Sequence, residues 1–222
     1  MQVTSTSYRA YALDLWGFGE TARNALNYSL EQQSSLLDRF LMEMGIGKIA
    51  LVGHGLGALV GMTFATRFPK SVDRVMAVSC PLAYEAVHTR LRTAPPLELS
   101  DWLSSRTAEA ITALSDASKA DLQAITASMV GLQANNLFSG FRDLNIPCLL
   151  VYGEKDPAIT IPSEDFSLST MTHQVVLDGS GHFPMMDETA KFNRLLTDFL
   201  ALEQGQSPRE LQMKEEWRRR VR

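Results

Sequence analysis

Residues 48–68 constrain the fold more than any other stretch. A short apolar run, KIALV at 48–52, leads into GHGLG at 53–57, and a segment rich in small residues leaves it at 56–68. The run does not alternate apolar with polar residues, as expected of a strand covered on both faces of a sheet. Ala58, Gly61 and Ala65 recur at helical spacing, so the outgoing helix can lie close on that sheet, and Pro69 ends it. The glycines at 53, 55 and 57 make a tight turn between them.

The rest of the chain supplies further units of the same kind. Residues 8–15 (YRAYALDL) read as a strand, with WGFGE as a glycine-punctuated turn after it. Asp14 reads as an organiser of that turn. Residues 29–44 read as a helix: Ser29 is a candidate N-cap with Gln32 three positions on, and Leu36, Leu37, Phe40, Leu41 and Met44 form its apolar face. Strands follow at 72–80, 146–152 (IPCLLVY) and 173–177, and an amphipathic helix at 187–202. Between 81 and about 136 no strand is evident. That stretch reads as helices at 84–92, 99–106, 108–114 and 119–132, interrupted once by Pro95 and Pro96. The expected architecture is therefore α/β: a mostly parallel sheet with crossover helices and a helical cap insertion. Residues 1–80 and 141–204 form the core, 81–140 the cap, and 205–222 a basic terminal helix or tail.

Ligand chemistry in such sheets collects at the carboxyl ends of the strands. Three loops there carry polar groups in order: GHGLG, then Asp156 in GEKDP, then His182 in GSGHFP. In this order, on these elements, the chain resembles the α/β-hydrolase family over residues 8–202. The DLWGFGE turn, the helical insertion and the order nucleophile, acid, histidine all carry the resemblance. It implies that His182 is the base and that Asp156 fixes its tautomer and stabilises the imidazolium. His54 occupies a variable slot of the family pattern and is expected to be structural, packed or hydrogen-bonded near the turn.

Two departures from the pattern bear on function. Gly55 stands where the family's nucleophile does, so no acyl-enzyme is expected there. Glycine suits the strained backbone of such an elbow, so the change is expected to spare the fold. The resemblance also begins after about three of the family's strands, which makes the fold read as truncated at the amino end. The missing segment is the one that usually supplies one of two oxyanion donors, and the Leu56 N–H is the donor that remains. Either the strands at 8–15 and 48–52 pair directly, or another chain fills a central gap, or the coding sequence starts further upstream.

Composition narrows the remaining possibilities. Of 222 residues 45% are hydrophobic and 21% charged, enough for a substantial core, and the net charge of −4 gives no pull toward nucleic acid. No window reaches the ~18 apolar residues of a membrane span, and a cytoplasmic location is the default expectation. Cys80 and Cys148 lie in apolar runs and read as buried free thiols. The four histidines show no metal-ligand spacing, and no cofactor is implied. From Arg209 onward six basic and three acidic residues give a local charge of +3, with Met213, Trp217 and Val221 on one stripe and Lys214, Arg218 and Arg222 beside it. That tail reads as a solvated helix or as a docking helix for a partner. Trp102, Met129 and Phe138 either line a pocket for an apolar small molecule or fill the core of the cap.

The reading these features support is an α/β-hydrolase-like protein without its catalytic nucleophile: a non-catalytic subunit, a scaffold or a small-molecule binder. The alternatives are a carboxylic-ester serine hydrolase in nucleophile-substituted or truncated form, and a His–Asp general-base lyase or cofactor-independent oxygenase.

Overall fold

The computed structural model describes residues 7–104, 117, 119–134, 137–163 and 169–211. In chain order its elements are α1 (Leu30–Glu43), β1 (Ile49–His54), α2 (Leu56–Arg67), β2 (Val72–Val78), α3 (Arg90–Thr93), α4 (Pro96–Leu103), α5 (Leu122–Ala134), α6 (Leu137–Arg142), β3 (Cys148–Gly153), β4 (Thr172–Leu177), α7 (Pro184–Asp187) and α8 (Thr189–Leu200). The four strands pair in parallel in the order β1-β2-β3-β4.

Side-chain alternation in the two central strands builds two cores. Val75 and Ala77 of β2, with Cys148, Leu150 and Tyr152 of β3, face a layer that includes Leu59, Met62 and Phe64 of α2. Met76 and Val78, with Leu149 and Val151, point the other way onto Phe192, Leu195 and Phe199 of α8. Both faces of β2 and β3 are buried, which accounts for their unbroken apolar sequences. Arg74 closes one end of the second core. Its guanidinium donates to the Phe199 and Leu200 carbonyls at 2.7 and 3.2 Å, where the C-terminal end of α8 favours a cation. The two cysteines are free and buried.

Local signals account for the element ends. The Ser29 hydroxyl accepts from the Gln32 N–H and caps α1, as its sequence predicts. The Gln33 side chain is fully buried and clamps the turn after residue 15, accepting from the Trp16 N–H at 2.8 Å and donating to the Trp16 carbonyl at 2.9 Å. Asp14 organises the same turn, its carboxylate accepting from the Glu20 N–H at 3.2 Å.

The structure corrects the sequence reading at several elements. Residues 9–15 are irregular rather than a strand, and they do not pair with β1. A strand exists only where a ladder satisfies its backbone. Here Tyr11 instead packs edge-on against Phe40 of α1, with ring centroids 5.6 Å apart. The helix expected at 84–92 is broken into a 3₁₀ turn at Tyr84–Ala86, an antiparallel bridge from Val87 to Ile159, and α3. The His88 N–H donates to Ala158 and the Thr160 N–H to Ala86, both at 2.8 Å, and this pairing outcompetes the helix. The helix expected at 187–202 is present as α8; the short α7 before it and α6 were not anticipated. Residues 81–142 do insert helices between β2 and β3. The helix expected at 108–114 and the apolar and basic stripes of Met213, Trp217, Val221, Lys214, Arg218 and Arg222 lie outside the described residues. Ser207 caps a 3₁₀ turn at Pro208–Glu210 with a complete capping box. Arg209 ties that turn to the start of β4, donating to the Thr172 and Ser169 carbonyls.

Candidate active site

Four parallel strands end side by side, and each contributes one polar residue to a single cluster. β1 ends at His54 and passes through Gly55 into α2. Ser79 follows β2 directly. Asp156 lies three residues past the end of β3, and His182 five past the end of β4.

Glycine brings the last two loops together. A Cβ on Gly153 would collide with the carbonyl oxygens of Gly181 and Ser180, so the loop after β4 lies directly on the end of β3. The Lys155 N–H donates to the Ser180 carbonyl at 2.8 Å, and the Asp187 carboxylate accepts from the Gly181 N–H at 2.8 Å. Thus Asp156 and His182 meet although they are 26 residues apart.

The Asp156 carboxylate receives the His182 Nδ1–H, with its oxygens 2.9 and 3.0 Å from that nitrogen. It also accepts from the Ala158 N–H at 2.8 Å. Burial opposes its ionisation. Hydrogen bonds from His182 and the Ala158 N–H outweigh burial and hold the carboxyl below its ordinary value. In the tautomer with its proton on Nδ1, His182 presents a lone pair at Nε2.

Nε2 faces Gly55. A Cβ built on Gly55 would meet one heavy atom within 4 Å, the His182 Nε2 at 3.9 Å. A hydroxyl one bond further out on such a side chain comes within hydrogen-bond reach of the base. Gly55 has φ 52° and ψ −115°, and its own N–H donates to the Val78 carbonyl at 2.9 Å. No side chain caps α2, which leaves the Leu56 N–H at the open start of a 12-residue helix.

Two further residues hold His182 from behind. His54 Nε2–H donates to the His182 carbonyl at 2.8 Å, and the Ser79 hydroxyl donates to the same oxygen at 3.2 Å. His54 is therefore structural, as its sequence position implied. Burial first, and then repulsion from His182, lower its pKa to about 3. Ser79 was missed at the sequence level. It is fully buried and has φ 47°, the one non-glycine residue in the left-handed region among those described. The letters S and C after an apolar strand carry no signal of that. Of the three residues expected to line a pocket or fill the cap, Trp102, Met129 and Phe138 all pack against or within the first core. A groove of about 550 Å³ adjoins the Asp156 loop, bounded by Val87, His88, Arg92 and Thr160.

Comparison with known sequences places this geometry. A profile described as the Alpha/beta hydrolase family matches residues 3–195. The chain belongs to the alpha/beta hydrolase family. An uncharacterized protein of Mycobacterium tuberculosis is 24% identical over 230 residues, covering 87% of this chain and 67% of its own length. RutD of Shigella flexneri, named for carbamate hydrolysis, is 37% identical over 91 residues, covering 40% of this chain and 34% of its own. Among solved structures, an esterase from Exiguobacterium antarcticum superposes with a TM-score of 0.77 at 14% identity, covering 90% of this chain and 84% of its own. A serine-to-glycine variant of the N-acyl homoserine lactonase AidH, complexed with N-hexanoyl homoserine lactone, gives 0.71 at 20% identity over 84% of this chain and 77% of its own. At these identities the two hydrolase structures share a fold with this chain.

Proposed function

We propose that this alpha/beta hydrolase binds a carbonyl ligand, of the ester or lactone type, at the His182–Asp156 dyad and does not turn it over through an enzyme ester. One observation carries the reading. The position that faces the base is Gly55, whose missing side chain leaves His182 Nε2 with no hydroxyl partner among the described residues. Loss of the nucleophile in a serine hydrolase costs about 10⁶ in turnover, while the dyad and the pocket can persist. The lactonase variant offers a parallel, since its name couples a serine-to-glycine change with a bound lactone. In this reading the helices between β2 and β3 cover the ligand, and the Leu56 N–H faces its carbonyl oxygen.

The test compares the wild-type chain with Gly55→Ser, using a fluorophosphonate probe and p-nitrophenyl butyrate. The expected wild-type result is no covalent label and no saturable hydrolysis. Gly55→Ser is expected to gain both, and Gly55→Ser with His182→Ala to lose them again. A fluorophosphonate adduct on the wild-type chain beside His182 overturns the reading.

The assembled dyad also favours a second reading. His182 held at 2.9 Å from Asp156 is oriented as a general base and could abstract an acidic C–H proton from substrate without a covalent step. A screen of such substrates decides it: equal rates for the wild-type chain and His182→Ala remove it.

A further inference from the structure

The slot over Gly55 has a donor–acceptor character that selects its occupant. We infer that it takes a hydroxyl group belonging to the ligand, so that the preferred ligand is a neutral hydroxylated acyl compound such as a hydroxy ester. The inference rests on the carbonyl-ligand reading and refines it.

The first support is an unspent acceptor. His182 is only 4% exposed. Its Nδ1 proton goes to Asp156, and Nε2 has no hydrogen-bond partner among the described residues. Nε2 itself is not sealed off, so an occupant of the slot reaches it, and one that donates gains a hydrogen bond there. The second support is room. Among the described residues, His54 and Leu56 and the backbone of α2 aside, only Nε2 comes within 4 Å of a Cβ at position 55, so none of those residues fills the space that a nucleophile's side chain would take. The third support is the backbone. The Gly55 N–H is already spent on Val78, but α2 starts beside it without a side-chain cap. Its first N–H groups and its dipole favour an electron-rich atom.

A hydroxyl meets both demands at once, donating to Nε2 and accepting from the helix start. A carboxylate has no proton to donate and faces the Nε2 lone pair. An ether oxygen also has none. An ammonium satisfies Nε2 and opposes the helix dipole. Water fits the slot, and a ligand hydroxyl displaces it while reproducing its hydrogen bonds.

The experiment is calorimetric titration of the full chain with ethyl 3-hydroxybutyrate, ethyl butyrate and ethyl 3-methoxybutyrate. The wild-type chain is expected to bind the hydroxy ester about tenfold more tightly than either of the others. In His182→Ala, and in Gly55→Ala where a methyl group enters the slot, the three are expected to bind within about twofold of one another. Gly55→Ala carries a side chain at positive φ, so circular dichroism checks its folding, and His182→Ala decides the matter if that variant fails. In ¹⁵N-labelled protein the His182 Nε2 resonance is expected to move on adding the hydroxy ester and to stay put with the methoxy ester. Equal binding of all three by the wild-type chain, with competition at the dyad, overturns the hydroxyl slot and leaves the carbonyl-ligand reading standing. A hydroxy-ester preference that survives His182→Ala places the hydroxyl elsewhere and also overturns it. Binding of none overturns both.

Discussion

His54 and His182 lie with ring centroids 4.7 Å apart, so charging one imidazole raises the cost of charging the other. Burial first, and repulsion from His182 second, lower the His54 pKa from 6.5 to about 3, and it stays a neutral donor to the His182 carbonyl. The unfolded chain therefore takes up this proton first as pH falls. The stabilisation is complete above about 6.5 and is lost progressively toward about 3. Asp156 adds a loss of the same sign at lower pH, since its folded carboxyl resists protonation below the unfolded value. Urea unfolding of the wild-type chain is expected to show a fall of about 1–2 kcal/mol between pH 6.5 and 5. His54→Asn, which keeps a donor and removes the titration, is expected to flatten that limb. An unchanged slope in the variant contradicts the assignment. Ser79 makes a second case at this scale. Its positive φ is strained for any residue with a Cβ, and its hydroxyl braces the carbonyl of the base. Ser79→Ala keeps the strain and loses the brace, and is expected to lower unfolding free energy by about 1–2 kcal/mol. Neither effect is legible in the sequence, because each depends on a backbone conformation or a contact more than 100 residues away.

Elements were legible where one segment alone decides them. Ser29 and Gln32 announce the start of α1, and the glycine turn joining β1 to α2 is written within 53–57. Elements were illegible where the partner decides. Residues 8–15 read as a strand, yet no described strand lies beside them to complete a ladder, and Tyr11 finds Phe40 instead. The apolar spacing at 84–92 suits a helix, yet the loop after β3 offers Val87 a bridge to Ile159. Close approach between elements is likewise invisible until the loops are placed. Gly153, the last residue of β3, touches the backbone of the loop that carries His182. Gly153→Ala is expected to push that loop away, at a cost of about 1–3 kcal/mol in stability. Introduced together with Gly55→Ser, it is expected to depress ester turnover at least tenfold while the far-ultraviolet circular dichroism stays native, because a displacement near 1 Å at a base is catalytically expensive. Retained turnover would show that the histidine loop is positioned independently of β3.

At the scale of the whole molecule, the parallel order of the sheet is what assembles the site, and its outer edge at β1 is left exposed on one face. The dyad residues were identifiable because strand, loop, strand repeats three times, and parallel pairing then brings the three loop ends to one rim. Coverage follows a different logic. α8 packs on Met76, Val78, Leu149 and Val151 of the central strands and on Val175 and Leu177 of β4, but on no residue of β1. On that face β1 leaves Ala50 and Val52 exposed, Val52 to 49%, and no described strand pairs with its far edge. Tyr8 and Tyr11 are also exposed, at 42% and 43%. An open, apolar edge strand invites pairing with another chain, and a lysine on it opposes such pairing at little cost in stability. Sedimentation velocity of the wild-type chain is therefore expected to show concentration-dependent association, and Val52→Lys is expected to reduce it, with a change in unfolding free energy of no more than about 0.5 kcal/mol. The substitution Leu122→Lys, at an exposed position of α5, serves as the control for added charge. Equal suppression by both variants would assign the effect to net charge, and a wild-type chain that stays monomeric at every concentration would remove the edge from consideration.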